Sequence, residues 1–299
     1  FPLLGGMKVS YHTSPLEAGK VVELIHKEQC NVLFSTPSFL SSYMRKAEPR
    51  ELASLKFVLV GAEKLNRQLA EAFHDKFGIP PLEGYGTTEM APVVALNVPD
   101  TMGPSAQTGH KPGSIGLPLP GISAQIVHPE TGEVLPPNQI GMLLVKGPNR
   151  MLGYLHRDDL TRNALRGDWY VTGDIARIDE DGFIFITDRL FRFSKIGGEM
   201  VPHIAVEEVI IGSLKLVELA VAVTSVPDER KGEKLVVLYT EAVGDPEAIK
   251  EVLNQSDLPN LWRPSESMFF RVDHLPMTAT GKMDVSKLRV VAREMTGNG

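Results

Sequence analysis

The sequence predicts an α/β layer followed by a β-rich, barrel-like part and a compact α+β part. Three observations predict this. Up to residue 98 the chain alternates helical and strand periodicities, the pattern of helices laid on a parallel sheet. From Gly103 onward, Gly/Pro-rich turns separate short β runs. Beyond Asp188-Arg189 helices and strands mix again. The expected division is residues 1–102, 103–190 and 191–299.

In chain order, residues 15–30 read as an amphipathic helix, 31–36 as a strand, 37–46 as a helix and 57–60 as a strand. A capped helix over 66–77 leads to a strand at 81–84 that runs into a loop. In the β-rich part, runs at 122–127 and 142–146 flank a turn at Glu130-Thr131-Gly132-Glu133, and 175–178 pairs with 183–186 across Asp179-Glu180-Asp181-Gly182. The last part reads as helix 204–212, strands 217–226 and 234–240, helix 246–254, strand 268–272 and helix 285–295.

With 299 residues, 42% hydrophobic and 23% charged, the chain can bury a sizeable core. A formal charge of -6 argues against a nucleic-acid surface, which needs a basic stripe to displace counterions. The single cysteine, Cys30, beside Val32-Leu33-Phe34, reads as a small core hydrophobe in a reducing, cytoplasmic setting. No apolar run approaches the length needed to span a bilayer. The first residues lack an initiator methionine and begin inside an apolar stretch, so a piece of a longer protein is expected. A half-sheet would leave an exposed edge, and self-association is expected from it.

The strongest local signal is Gly84-Tyr85-Gly86-Thr87-Thr88-Glu89 at a strand end, where α/β sheets bind ligands. Glycines admit close backbone approach, a tyrosine ring can stack on a base, threonine hydroxyls can meet a phosphate oxygen, and a carboxylate can hold Mg2+. A strand-end turn with a helix cap at Thr87 or Thr88 is the plainer alternative. Later, Trp169-Tyr170-Val171-Thr172-Gly173-Asp174 puts an aspartate beside a turn glycine, suited to accepting two ribose hydroxyls. Asp188-Arg189 follows. Near the end, Thr278-Ala279-Thr280-Gly281-Lys282 offers a lysine as a point charge, a solvated surface lysine being the plainer alternative.

In this order and spacing, the set resembles the adenylate-forming superfamily of acyl and aryl CoA ligases, luciferases and peptide-synthetase adenylation domains. Further matching segments are Val60-Gly61-Ala62-Glu63, Gly113-Ser114-Ile115-Gly116-Leu117-Pro118, Gly141-Met142-Leu143-Leu144-Val145-Lys146-Gly147 and Lys195-Ile196-Gly197-Gly198-Glu199. Residues 196–208 are most similar to the acyl-acyl-carrier-protein synthetase half of bacterial bifunctional 2-acylglycerophosphoethanolamine acyltransferases. That relation would set the parent at the inner membrane in phospholipid and fatty-acid metabolism.

The resemblance implies a truncated adenylate-forming fold that uses ATP, releases AMP and needs Mg2+. A fatty acid is first adenylated, and its acyl group then passes to the phosphopantetheine thiol of acyl carrier protein or CoA. Carried over by motif, Tyr85 stacks on adenine, with Gly61, Ala62 and Glu63 on the base's other side. Thr88 binds the α-phosphate, Glu89 the Mg2+, and Asp174 and Arg189 the ribose. Gly86, Thr87, Lys195, Gly197 and Gly198 complete the cofactor-contacting set, and Lys282 bridges carboxylate and phosphate in adenylation. Residues 191–299 become a mobile lid, hinged where Phe191 replaces the usual aspartate or lysine, with simple packing of Phe191 between domains as the plainer alternative. A fatty-acyl-CoA ligase, and a noncatalytic module that binds AMP or acyl-adenylate, are the alternatives.

The family's Ser/Thr/Gly-rich phosphate loop has no counterpart in these residues. Thr108-Gly109-His110-Lys111-Pro112 imitates its letters but follows the Tyr85 motif and reverses the Lys-Pro order, so it reads as a linker turn. Without that loop, the 299-residue chain is expected to be inactive in adenylation.

Overall fold

The structure is a computed structural model that describes residues 2–102, 106–129, 131–189, 192–217, 219–278 and 283–297. It divides into two units, Phe1–Gly84 and Tyr85–Gly299.

In the first unit, strands β1 (Val32–Ser35), β2 (Phe57–Val60) and the start of β3 (Pro81–Gly86) lie parallel in that order. Helices α1 (Ala18–Glu28), α2 (Pro37–Lys46) and α3 (Arg67–Phe77) alternate with them. Three of the helix boundaries have a clear local cause. Thr36 accepts from the Phe39 N–H ahead of Pro37, and Asn66 accepts from the Gln68 N–H at 2.8 Å. Gly78, at φ 73°, closes α3 in the left-handed region. Val58, Val60, Leu40 and Phe73 are buried in one core, with Cys30 packed at its margin, as expected for a thiol acting as a hydrophobe.

The opposite sheet face is different. Val32, Phe34 and Phe57 are 41%, 69% and 39% exposed, and the register sets Val32 against Phe57 and Phe34 against Leu59. Parallel sheets are normally covered on both faces. Here these apolar side chains leave one face largely uncovered among the described residues.

The second unit opens with the antiparallel pair β4 (Val93–Leu96) and β5 (Leu117–Pro118). An antiparallel sheet follows, built from β6 (Ser123–Val127), β7 (Gly141–Lys146), β8 (Leu165–Arg166), β9 (Trp169–Ile178) and β10 (Ile184–Arg189), with α4 (Asp158–Ala164) before β8. Its order is β10-β9-β7-β6, with β8 on β9. Sequence periodicity missed β4, β5 and α4, which are short and lack alternation.

The C-terminal part holds β11 (Phe193–Ile196), β12 (Glu199–Pro202), α5 (His203–Ser213), β13 (Val221–Asp228), β14 (Gly232–Tyr239), α6 (Pro246–Gln255), β15 (Phe269–Arg271) and α7 (Val285–Thr296). Its sheet runs β12-β11-β14-β13, with β15 parallel to β14. The start of β13 (Val221, Ala222, Val223) and the end of β14 (Leu235, Val236, Val237, Leu238, Tyr239) are continuously apolar because both faces are covered there. Val221, Val223, Leu235 and Val237 meet α5 and α6, whereas Ala222, Val236 and Leu238 meet Leu288 and Ala292 of α7. Among the described residues, no helix is long and apolar enough to cross a membrane.

Candidate functional site

In the first unit, Gly61 follows β2, and a Cβ there would come within 3.1 Å of the Gly84 carbonyl oxygen. Ala62 adopts φ 69°, which turns the backbone sharply. Glu63 does not present its whole carboxylate outward. Its Oε2 accepts from the Ser38 hydroxyl at 2.7 Å and the Ser38 N–H at 3.2 Å, capping the start of α2. Its Oε1 is buried and has no hydrogen-bond partner among the described residues. Gly61 and Ala62 therefore offer backbone, while Glu63 braces the turn.

In the second unit the Tyr-Gly-Thr-Thr-Glu segment leaves β3 and enters a single 3-10 turn at Thr88–Met90. Neither threonine caps a helix as the plainer alternative supposed: Thr87 makes no side-chain cap, and its buried hydroxyl has no partner among the described residues. Thr88 is exposed and Glu89 half-buried. Gly86 is required sterically, since a Cβ would fall 2.2 Å from the Pro92 carbonyl oxygen.

Asp174 lies inside β9, not in a turn as its neighbouring glycine suggested. Val171 pairs with Leu144 and Ile175 with Met142, so residues 172–174 form a bulge opposite β7, with Gly173 at φ 74°. The bulge buries Asp174 to 4% exposure. Its carboxylate accepts the Tyr85 hydroxyl, and its N–H donates to Thr172 Oγ1 at 3.0 Å. The backbone of Arg189 on β10 sits directly across from Asp174.

Two residues not singled out from sequence complete this region. Tyr154 donates its hydroxyl to Glu89 Oε1 at 2.6 Å. Tyr170, only 6% exposed, lies in the same neighbourhood, within reach of the Glu89 charge and of Tyr154. Burial, followed by the Glu89 charge, pushes the Tyr170 phenol far above its usual range. The Glu89 hydrogen bond and burial raise that of Tyr154. Gly153-Tyr154 lies in an unpatterned loop, so no periodicity or turn signal could have marked it.

Other expected positions lie apart. Gly197 and Gly198, at φ 57° and 93°, form the two-residue turn joining β11 to β12, a conformation that favours glycine at both places. Lys195 is exposed, and its N–H donates to Glu233 Oε2 at 2.7 Å. Lys282 and Phe191 lie outside the described residues. The Thr108 segment is tied up internally, with Lys111 Nζ 2.6 Å from both Asp179 and Asp181.

For Mg2+, no cluster of three His, Cys, Asp or Glu side chains exists among the described residues. A magnesium ion needs only one or two protein carboxylates when phosphate oxygens and water complete its shell. Glu89 offers one such carboxylate, and the Thr87 hydroxyl two residues earlier in the chain is buried with no hydrogen-bond partner among the described residues.

Residues 1–155 match the model for the AMP-binding enzyme family, and residues 205–282 match that for the AMP-binding enzyme C-terminal domain. The chain belongs to the AMP-binding enzyme family. It is 32% identical to a long-chain-fatty-acid–CoA ligase of Bacillus subtilis over 90% of this chain and 46% of that protein. It is 33% identical to a feruloyl-CoA synthase of Amycolatopsis over 96% and 57%, respectively. The crystal structure of ATP-bound MatB from Rhodopseudomonas palustris superposes with a TM-score of 0.81 at 26% identity, covering 93% of this chain and 54% of that one. The chain thus has the adenylate-forming enzyme fold and spans about half the length of the relatives it matches.

Proposed function

We propose that this chain is the AMP-facing half and lid of an ATP-dependent fatty-acyl ligase. The observation that carries the reading is the pair of carboxylates, Asp174 and Glu89, each held by a tyrosine hydroxyl within one unit. In the proposed reaction, a fatty-acid carboxylate oxygen attacks the α-phosphorus of ATP, and the bond to pyrophosphate breaks. A thiolate then attacks the acyl carbon of the resulting acyl-AMP, forming a thioester and releasing AMP.

Within that scheme Asp174 and Arg189 hold the ribose and the Tyr85 ring stacks on adenine; in the first unit Glu63 braces the Gly61-Ala62 backbone, which the family resemblance assigns to the base. Thr87 and Thr88 meet the α-phosphate. Glu89 holds the Mg2+, whose charge would draw electron density from the phosphates. Lys282 steadies the negative charge that grows as the carboxylate attacks. Residues 191–299 turn as a lid, bringing the Gly197-Gly198 turn and Lys195 toward the thiol.

The acceptor thiol is proposed to be that of acyl carrier protein, on the similarity of residues 196–208 to the acyltransferase-linked synthetases. CoA is favoured by a different observation, the CoA-ligase names of the similar proteins. Lys282→Ala in the longer protein is expected to abolish ATP–pyrophosphate exchange and leave thioester formation from supplied acyl-AMP largely intact. Equal loss of both half-reactions would overturn the lysine's role. Offering acyl carrier protein and CoA side by side in the second assay identifies the acceptor. The setting proposed is the cytoplasm, with the longer protein at the inner membrane.

A further inference from the structure

Tyr85 and Asp174 are 89 residues apart, yet one hydrogen bond joins them. The Tyr85 ring packs against a core that contains Met90, Val94, Ile126 and Tyr170. Its hydroxyl, at the far end of the ring and in the ring plane, therefore has a fixed origin. Asp174 is fixed from its own side by the β9 bulge and by Thr172, whose hydroxyl donates to the Leu143 carbonyl at 2.8 Å. A buried carboxylate needs donors, and its two oxygens offer about four acceptor directions, so a tyrosine hydroxyl and sugar hydroxyls are compatible on the same group.

The bond also ties together two surfaces that the nucleotide reading assigns to different parts of the ligand. The ring meets the base and the carboxylate meets the sugar. A rigid strut between them sets the carboxylate's rotation about its Cβ–Cγ bond, which otherwise turns broadly. That rotation decides whether an oxygen lies in line with a ribose 2′-hydroxyl.

We propose that the Tyr85 hydroxyl is a specificity-determining group, which holds the Asp174 carboxylate in the orientation that reads the 2′-hydroxyl and so selects ribonucleotides over 2′-deoxyribonucleotides. The proposal rests on the nucleotide-binding reading above. Tyr85 acts on the sugar through Asp174 and is a positioning residue for it. A site built to hydrogen-bond a hydroxyl rejects the analogue that lacks it, because the acceptor is left without its donor.

The test is equilibrium binding of AMP and of 2′-deoxy-AMP by the full 299-residue chain, compared among the wild type, Tyr85→Phe, Asp174→Asn and the double variant, each checked for an unchanged melting transition. The wild type is expected to prefer AMP by about tenfold or more, the size of one charge-assisted hydrogen bond. Tyr85→Phe keeps the stacking face, so 2′-deoxy-AMP affinity should change by less than about twofold while the preference for AMP falls by about fivefold. The double variant should match Asp174→Asn alone, because the hydroxyl has no separate route to the sugar.

An unchanged AMP preference in Tyr85→Phe overturns the proposal. Tighter AMP binding by that variant also overturns it, since the hydroxyl would then be blocking the carboxylate. A different result sinks the nucleotide reading itself and this inference with it: AMP affinity that is equal in wild type and Asp174→Asn. Should Tyr85→Phe melt early, Tyr85→His supplies a second test, with a ring whose N–H can reach toward Asp174. It should retain more of the AMP preference than Tyr85→Leu, and equal preferences in the two would overturn the proposal.

Discussion

Tyr154 reaches across 65 residues of sequence to donate its hydroxyl to Glu89 at 2.6 Å. The bond fastens an irregular loop to the carboxylate that ends the Tyr85 motif. A hydrogen bond to a charged group contributes about 1.5–3 kcal/mol, less where water can replace it. Because both partners are half-buried, Tyr154→Phe should lower stability by about 1–2 kcal/mol, read from the urea midpoint at constant slope. A midpoint that does not move would mean that the loop is held by other contacts.

His203 carries the clearest pH dependence. It is 1% exposed at the start of α5, with its Nε2 2.6 Å from Ser194 Oγ. Burial, then the nearby Arg192 and Arg289 charges, bring its pKa from 6.5 down to about 3. The folded state thus resists protonation that the unfolded chain accepts. The stabilisation is complete above the unfolded value of 6.5 and is lost as pH falls toward 3. Between about pH 7 and pH 5 the loss from this residue should be about 2 kcal/mol. Urea unfolding at the two pH values checks this, and His203→Gln should flatten the difference.

Two glycines in one loop separate steric need from conformational need. Gly116 has φ 87°, and a Cβ there would lie 2.0 Å from the Leu96 carbonyl carbon. Gly113 has φ 79° and open space. Gly113→Ala should cost about 1–2 kcal/mol for the left-handed backbone alone. Gly116→Ala adds a backbone collision and should cost about 3–5 kcal/mol, visible as a collapsed melting temperature or loss of soluble protein.

The bare face of the first sheet bears on association. Phe34 is 69% exposed beside the aligned Val32 and Phe57. An uncovered apolar sheet face next to an unpaired edge favours contact between copies. Phe34→Glu should reduce self-association in sedimentation velocity and shift the melting temperature little, because the ring contributes little to its own core. An equally monomeric wild type would remove this role.

The sequence was most readable where periodicity and capping agreed. Helix α2 and strand β2 fall where expected, and Asn66, Asp245 and Asp284 cap their helices through side-chain oxygens. The motif residues could be picked out because their types are chemically distinctive. The relationships among them were not legible. The Tyr85–Asp174 bond depends on a bulge opposite β7, and no local pattern fixes where a long strand takes its two extra residues. Tyr154 and Tyr170 reach Glu89 only through tertiary packing. Glu63, expected beside the base, spends one carboxylate oxygen on Ser38, a helix-capping contact between distant segments.

The cores on the two faces of the β13–β14 sheet are built from residues within 196–292. A part that contains both of its cores can drift in its outer surface without risk to its interior. Phe193, packed against Val127, Met142, Leu144 and Ile175, belongs to that outer surface. Substitutions there can retune how the C-terminal part seats on its neighbour while the fold beneath stays intact, which leaves the seating open to evolutionary change.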